Sequence, residues 1–258
     1  MSKKIPLRTI QWIFFDIGDV LVNEDRLRYR LFRNLEDTLR EQNVPLTFDY
    51  LIKAREELIL EHQDEAPHYT IAKRYLSPSV YHQWHKRLKE LIHTQLMSDF
   101  ILVPQIRKVV NRLAQTFKLG LIADQPHEVL GFLRKEKLLR LFKVHAISGV
   151  VGMNKPKRRI FEWAVNQAGV SFDQCMMIGD RIDRDIHPAN ALDMTTVQVL
   201  WPVEKKGYRP TSIRAEQYLA SLKRVRNWQL TPSSPEDRPD ALVEDVRRLI
   251  PVVEKLSL

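Results

Sequence analysis

A short apolar run that ends in acidic residues constrains the fold of this chain most strongly. Residues Trp12 to Phe15 are all bulky and apolar, and they are followed by Asp16, Gly18 and Asp19. Four such residues in succession predict a strand buried on both faces, as in a parallel sheet. Open α/β sheets build their sites where such a strand ends, although Asp and Gly are also ordinary turn formers. This run alone leaves a site and a simple turn as equal alternatives.

Composition narrows the class of protein and of ligand. The 258 residues can form one large domain or a domain with an insertion, and 44% hydrophobic with 28% charged residues is typical of soluble globular proteins. A net charge of +9 favours anionic ligands in general. The basic residues lack an aromatic-rich motif, so they indicate solvated surface and no nucleic-acid partner is expected. They cluster at residues 26–33, 86–89, 155–159 and 223–226.

The cysteine content and the hydropathy pattern indicate a cytoplasmic protein with no membrane partner. Cys175 is the only cysteine, which excludes an intrachain disulfide and fits a reducing compartment. The apolar residues around it favour a buried core thiol over a nucleophile. Residues 1–10 lack a signal-peptide core, and no apolar run is long enough to span a bilayer.

Residues 23–103 form a helical block without a strand signal. Leu27, Leu31, Leu35 and Leu39 recur at helical spacing between charged residues. Further helices are predicted at 48–60, 68–76 and 80–97, and prolines separate them. Because the block is larger than a crossover connection needs, it predicts an inserted all-helical domain.

The remainder of the chain alternates between strand and helix patterns. Strands are predicted at 119–123, 144–151, 175–178 and 195–200, and helices at 105–117, 128–139, 158–168 and 185–192. This alternation predicts an α/β, Rossmann-like parallel sheet with helices on both faces. Residues 201–239 are expected to be loop-rich, and a helix is predicted from 241 to about 256.

Charged residues follow four of the predicted strands. They are Asp16, Asp124, Lys155, and Asp180 with Asp183 and Asp185. Parallel strands bring these ends to one edge of the sheet, where several carboxylates raise one another's pKa values. A lone Asp at a strand end is usually a helix N-cap, but four such ends favour a hard-cation site for Mg²⁺.

Four segments of the chain resemble the motifs of the haloacid dehalogenase-like (HAD) hydrolases. The segments are Phe15-Asp16-Ile17-Gly18-Asp19-Val20-Leu21, residues 119–125, Asn154-Lys155-Pro156, and residues 178–186. The resemblance implies a Rossmann-like core at 1–22 and 104–258. It also implies a helical cap of the C1 type at 23–103.

The resemblance also implies roles for individual residues. Asp16 matches the nucleophile that becomes an aspartyl-phosphate, and Lys155 matches the residue that neutralises the phosphoryl oxygens. Asp16, Gly18 through its carbonyl, Asp180 and Asp185 match the magnesium site. Asp180 and Asp185 favour the phosphatase branch, because the dehalogenase branch dispenses with Mg²⁺.

The chain departs from the phosphatase pattern at two positions. Gly18 stands where the family usually has a second Asp, the general acid/base, and Asp19 is the nearest carboxylate that could replace it. Ala123 stands where a Ser or Thr usually contacts the phosphate, beside Asp124 in the same substrate-binding turn.

The resemblance therefore predicts a phosphoric monoester hydrolase that uses Mg²⁺ and acts on a small phosphorylated metabolite. The alternative is a catalytically impaired protein of this fold that binds a phosphorylated ligand or a protein partner. A nucleic-acid-associated role rests on basicity alone.

Overall fold

The computed structural model describes residues 9–61, 66–226 and 232–257, which divide into two compact units. The first, here called the α/β unit, contains the described residues of Met1–Asn23, Leu102–Gly207 and Leu230–Leu258. The second, here called the helical unit, contains those of Glu24–Ile101 and Tyr208–Gln229. Each unit is therefore assembled from segments that are distant in the sequence.

A six-stranded parallel sheet forms the centre of the α/β unit, with the strand order β5-β4-β1-β6-β7-β8. β1 lies between β4 and β6, and a separate two-stranded sheet pairs β2 with β3. The predicted α/β parallel sheet is confirmed. The strands are β1 (Trp12–Phe15), β2 (Val22–Asn23), β3 (Ile101–Leu102), β4 (Lys118–Ala123), β5 (Phe142–Ile147), β6 (Cys175–Gly179), β7 (Thr195–Val199) and β8 (Ala241–Val243).

The helices of the described chain divide between the two units. α1 to α4 and α10 belong to the helical unit, and the others cover both faces of the six-stranded sheet. None of the helices in the described ranges has both the length and the apolar character to span a bilayer. They are α1 (Asp25–Glu41), α2 (Phe48–Leu60), α3 (Pro67–Tyr75), α4 (Pro78–Asp99), α5 (Ile106–Leu113), α6 (Val129–Lys135), α7 (Ser148–Val151), α8 (Arg158–Ala168), α9 (His187–Asn190), α10 (Ile213–Arg224) and α11 (Leu249–Leu256).

Burial of β1 on both faces organises the core of the α/β unit. All four residues of β1 are buried, as their apolar character predicts. The rings of Trp12 and Phe14 stack with their centroids 5.7 Å apart. A side chain on Gly120 of the neighbouring strand β4 would collide with the Phe14 ring, so glycine makes room for it. The packing of these aromatic side chains fixes the position of β1 and therefore the position of Asp16, which follows it.

The helical unit is held together by an apolar face and a buried arginine. Leu27, Leu31, Leu35 and Leu39 of α1 are buried, as the spacing of four residues predicts. Arg55 of α2 is 1% exposed and donates hydrogen bonds to the Ser221 hydroxyl at 2.8 Å and the Val225 carbonyl at 2.9 Å. These bonds tie α2 to the segment around α10, which lies far away in the sequence.

The structure corrects the prediction for residues 201–239. This segment contains the three-turn helix α10, whose N-terminus is capped by the Ser212 hydroxyl accepting from the Ala215 N–H. Residues 208–226 belong to the helical unit rather than to the core domain at 104–258. The flanking prolines and glycine dominated the sequence pattern and concealed the helix. Residues 227–231 lie outside the described part of the chain.

Three other element assignments were wrong in detail. Residues 241–243 form the edge strand β8 instead of starting a helix, and the α-helix begins only at Leu249. The strand predicted at 144–151 ends at Ile147, after which α7 begins. The helix predicted at 185–192 is a π-helical turn, Ile182–Ile186, followed by α9.

Candidate active site

Three acidic residues lie at the carboxyl edge of the central strands. Asp16 follows β1, Asp124 follows β4, and Asp180 follows β6. Phe15 pairs with Leu121 on one side and Ile178 on the other, so the three strands end within two residues of one another. The strand-end positions predicted from the sequence therefore meet at one edge of the sheet.

Asp16, Asp180 and Asp185 form a buried carboxylate cluster, here called the acidic cluster. One oxygen from each lies within 4.8 Å of the others, and Asp185 is fully buried. The Lys155 ammonium donates to Asp16 Oδ1 at 2.8 Å and also to Asp185 Oδ1. Lys155 is itself only 2% exposed. When its three carboxylates are ionised, the acidic cluster carries two more negative charges than the Lys155 ammonium balances, in a site shielded from water.

The electrostatics of the acidic cluster reflect this excess of negative charge. Burial raises the pKa of Asp16 to about 7, and Asp185 adds to the rise while Lys155 opposes it. Burial and then the charges of Asp19, Asp185 and Asp16 raise the pKa of Asp180 well above its ordinary value. Burial would lower the pKa of Lys155, but the adjacent carboxylates outweigh it and raise that pKa.

Local geometry places Asp185 at the centre of the acidic cluster. The π-helical turn returns its side chain toward the end of β6, where the Arg181 N–H donates to Asp185 Oδ2 at 3.0 Å. A side chain on Gly179 would overlap the Asp185 carboxylate. Glycine at the last residue of β6 is therefore what allows the close approach of Asp185.

Asp124 positions the loop that carries Lys155. Asp124 Oδ1 accepts from the Lys155 N–H at 2.9 Å, and Oδ2 accepts from Arg184 Nη1 at 2.8 Å. Arg184 Nη1 also donates to the Lys155 carbonyl at 3.1 Å. Asp124 was predicted to bind substrate, but in the structure both of its oxygens hold the Lys155 loop. Arg184 lies in the fourth motif segment, but no role was assigned to it, because its contacts with Asp124 and the Lys155 carbonyl depend on tertiary packing.

Asp19 is held by a lysine that the sequence analysis missed. Lys206 Nζ donates to Asp19 Oδ1 at 2.7 Å, and both residues are buried. The Lys206 carbonyl accepts from Asn23 Nδ2 at 3.1 Å. Asp19 has a positive φ of 53°, in the left-handed region that aspartate tolerates better than most residues. The sequence contains only an indirect indication of this lysine, because a buried aspartate is usually paired with a cation.

Gly18 and Ala123, the two departures from the phosphatase pattern, lie at the same carboxyl edge of the sheet. Ala123 is the last residue of β4 and is fully buried. Gly18 lies in the turn after β1 and forms a bridge with Val22. Neither position offers a side-chain donor or acid.

Comparison of the sequence with known protein families and relatives agrees with this fold and this arrangement of acidic residues. The sequence matches the haloacid dehalogenase-like hydrolase family over residues 13–199, and the chain belongs to this family. It is 31% identical to the glyceraldehyde 3-phosphate phosphatase of Pyrococcus abyssi over 196 residues, covering 73% of this chain and 80% of that protein.

A second relative and a solved structure were also found to be similar to this chain. The chain is 30% identical to the Pyrococcus furiosus glyceraldehyde 3-phosphate phosphatase, covering 74% of this chain and 81% of that one. The crystal structure of a HAD phosphatase from Thermococcus onnurineus superposes with a TM-score of 0.60 at 17% identity, covering 95% and 98% of the two chains.

The acidic cluster fits a divalent cation. Its ligands are hard carboxylate oxygens, and the two negative charges that remain after pairing with Lys155 equal the charge of one such ion. The raised pKa values of Asp16 and Asp180 show how costly the ionised cluster is without a cation. These residues could therefore hold a metal ion.

Proposed function

We propose that this chain is a Mg²⁺-dependent phosphatase of small phosphate monoesters, with Asp16 as the nucleophile. The observation that carries the proposal is the contact of a buried, charged lysine with a carboxylate at the end of the central strand. Asp16 attacks phosphorus and the bond to the ester oxygen breaks, so that the alkoxide takes a proton from water and leaves as the alcohol. Water then attacks the resulting aspartyl-phosphate to release inorganic phosphate and restore the Asp16 carboxyl group. Lys155 neutralises charge that develops on the phosphoryl oxygens.

Asp16, Asp180 and the Gly18 carbonyl would hold the magnesium ion in this proposal, with Asp185 supporting them. Carboxylate and carbonyl oxygens are the ligands that Mg²⁺ prefers. When bound, the ion neutralises phosphoryl charge and keeps Asp16 ionised. Asp185 already accepts from Lys155 and the Arg181 N–H, so it acts chiefly by orienting its neighbours.

A three-carbon sugar phosphate is the substrate we propose to test first. The two Pyrococcus relatives carry the name glyceraldehyde 3-phosphate phosphatase. Gly18 leaves proton transfer to another group, and Asp19 is the candidate. Asp19 Oδ1 accepts from Lys206 Nζ at 2.7 Å, which fixes the position of this carboxylate in the turn after β1, and we propose it as the proton acceptor for water in the second step.

A second candidate function is phosphate-ligand binding without efficient turnover. Gly18 and the buried Ala123 favour it, because each removes a side chain that would act in the transition state. Installing Gly18→Asp with Ala123→Ser should raise turnover at least about tenfold if these losses limit the rate. A folded double variant without that gain would favour a dedicated binding protein.

The experiment that tests the proposed function is a screen of phosphate monoesters, including glyceraldehyde 3-phosphate, with and without Mg²⁺. Asp16→Asn serves as the blank because it keeps the shape of the side chain and removes the nucleophile. We expect phosphate release that requires both Mg²⁺ and Asp16. Release that persists in Asp16→Asn, or none for any ester, would overturn the proposal.

A further inference from the structure

An arginine-lined cleft of about 450 Å³ lies within the helical unit. It is separate from the acidic cluster, since every residue that lines it belongs to the helical unit. Its lining, here called the arginine cleft, includes Arg26, Tyr29, Arg30, Arg33, Tyr208 and Arg209.

The spacing of residues on α1 builds one wall of this cleft. Arg26, Arg30 and Arg33 recur at intervals of four and three residues, so they share one face of the helix. The segment that precedes α10 contributes Tyr208 and Arg209 to the same lining. The sequence pattern of residues 26–33 indicated solvated surface, whereas the structure gathers these arginines around one concavity.

Two of the four arginines are fixed by carboxylates of the same unit. Arg30 donates to both oxygens of the fully buried Asp99, from Nε at 2.5 Å and Nη2 at 2.8 Å. Arg33 donates to Glu36 and, at 3.4 Å, to Asp37. These bonds hold the guanidinium groups in place and neutralise them, so both enter the cleft already oriented.

The other two arginines contribute charge that the described residues do not balance. Arg26 donates to the Ser98 carbonyl at 3.0 Å and lies over the Tyr208 ring at 5.8 Å. Neither contact supplies a negative charge. Arg209 is exposed and forms no ion pair within the described part of the chain. Tyr208 stays protonated at neutral pH because burial raises its pKa, so its hydroxyl remains able to donate.

We propose that the arginine cleft binds the phosphate group of a small metabolite. Two guanidinium groups without an ion pair among the described residues, one on α1 and one in the segment before α10, match the two negative charges of a phosphate. Donors that approach from several directions suit a tetrahedral anion, whereas a carboxylate needs only one planar guanidinium fork. The inference does not rest on the proposed function, because no residue of the acidic cluster takes part.

Titration of the full chain with inorganic phosphate tests this proposal. Calorimetry is run in EDTA at constant ionic strength, and Asp180→Asn provides a second background in which the acidic cluster is altered. The cleft variant is Arg26→Gln with Arg209→Gln, because neither arginine neutralises a buried carboxylate. The matched control is Arg74→Gln with Arg87→Gln, which removes the same charge from exposed positions of the same unit.

We expect binding in the wild type and in Asp180→Asn, weakened at least about tenfold in the cleft variant by the loss of two charge-assisted donors. The control variant should bind like the wild type. Equal weakening in cleft and control variants would show that net charge alone attracts the anion and would overturn the proposal. Malonate binding as tightly as inorganic phosphate would overturn the assignment to phosphate. Arg209→Gln alone, at an exposed residue, gives the same test if the double variant fails to fold.

Discussion

The absence of a side chain at Gly179 allows Asp185 to lie against the end of β6. In Gly179→Ala the added methyl overlaps the Asp185 carboxylate, so we expect about 1–3 kcal/mol of destabilisation. Mg²⁺ affinity should fall as well, because Asp185 orients the acidic cluster. Chemical denaturation and Mg²⁺ calorimetry measure the two effects.

Gly152→Ala is the matched control for that prediction. Gly152 also resists a side chain, through its positive φ of 69°, but nothing lies within 4 Å of the added methyl. It should lose stability while keeping Mg²⁺ affinity. Unchanged Mg²⁺ affinity in Gly179→Ala would contradict the role assigned to Asp185.

A second prediction at the residue scale concerns the ion pair between Lys206 and Asp19 and its contribution to stability. Lys206→Met leaves the Asp19 carboxylate without its cation in a buried position, which should destabilise the protein by about 3–5 kcal/mol. Lys205→Met is the control, since Lys205 is exposed and should change stability by about 0.5 kcal/mol or less. Urea denaturation compares them, and equal effects would show that the pair contributes little.

Individual site residues were predictable only where a motif carried them. Asp16, Lys155, Asp180 and Asp185 were found from strand ends and spacing, and the structure brings them together. Lys206 and the other unpredicted site residue, Arg184, reach the site through tertiary packing across long sequence separations. No periodicity or spacing records such contacts.

At the scale of elements, α10 is predicted to be an integral part of the helical unit. Arg55→Ala removes the hydrogen bonds that link α2 to Ser221 and Val225 and leaves a cavity, so about 3 kcal/mol should be lost. Hydrogen exchange should accelerate in both α2 and α10. Lys53→Ala, at an exposed position of α2, should leave exchange unchanged. Acceleration confined to α2 would contradict the shared unit.

Long elements with a clear period were predicted well, and short ones were not. The bounds of α2 and α8 match the predicted ranges, because apolar spacing and terminal glycine or proline define them. β8 has three residues, too few for alternation to distinguish a strand from the start of a helix. Its strand conformation depends on pairing with β7, which local sequence does not encode.

At the scale of the whole molecule, the acidic cluster should make stability depend on pH and Mg²⁺ together. The pKa of Asp16 rises from 3.8 to about 7 on folding, so the folded protein binds more protons than the unfolded chain in that range. The stabilising contribution of the protonated carboxyl is complete below about pH 4 and is lost as pH rises through about 7. Without a divalent cation, this group therefore favours folding at acidic pH.

Magnesium should reverse that trend because it competes with protons for the same oxygens. At about 100 times its Kd, Mg²⁺ should add about 2.7 kcal/mol near pH 8. For a chain of this length that raises Tm by about 5 °C or more. Scanning calorimetry should show a much smaller rise at pH 5, and little at either pH in Asp180→Asn. An equal rise at both pH values would contradict metal binding by the acidic cluster.

The most direct test of the central claim is to trap phosphate on Asp16. The protein is mixed with Mg²⁺ and a phosphate monoester that the screen has identified as a substrate, and the reaction is quenched in acid. The peptides of the protein are then analysed by mass spectrometry. We predict a phosphorylated peptide containing Asp16 in the wild type, and none in Asp16→Asn. Phosphate release without any labelled Asp16, or label on another residue, would contradict the assignment of Asp16 as the nucleophile.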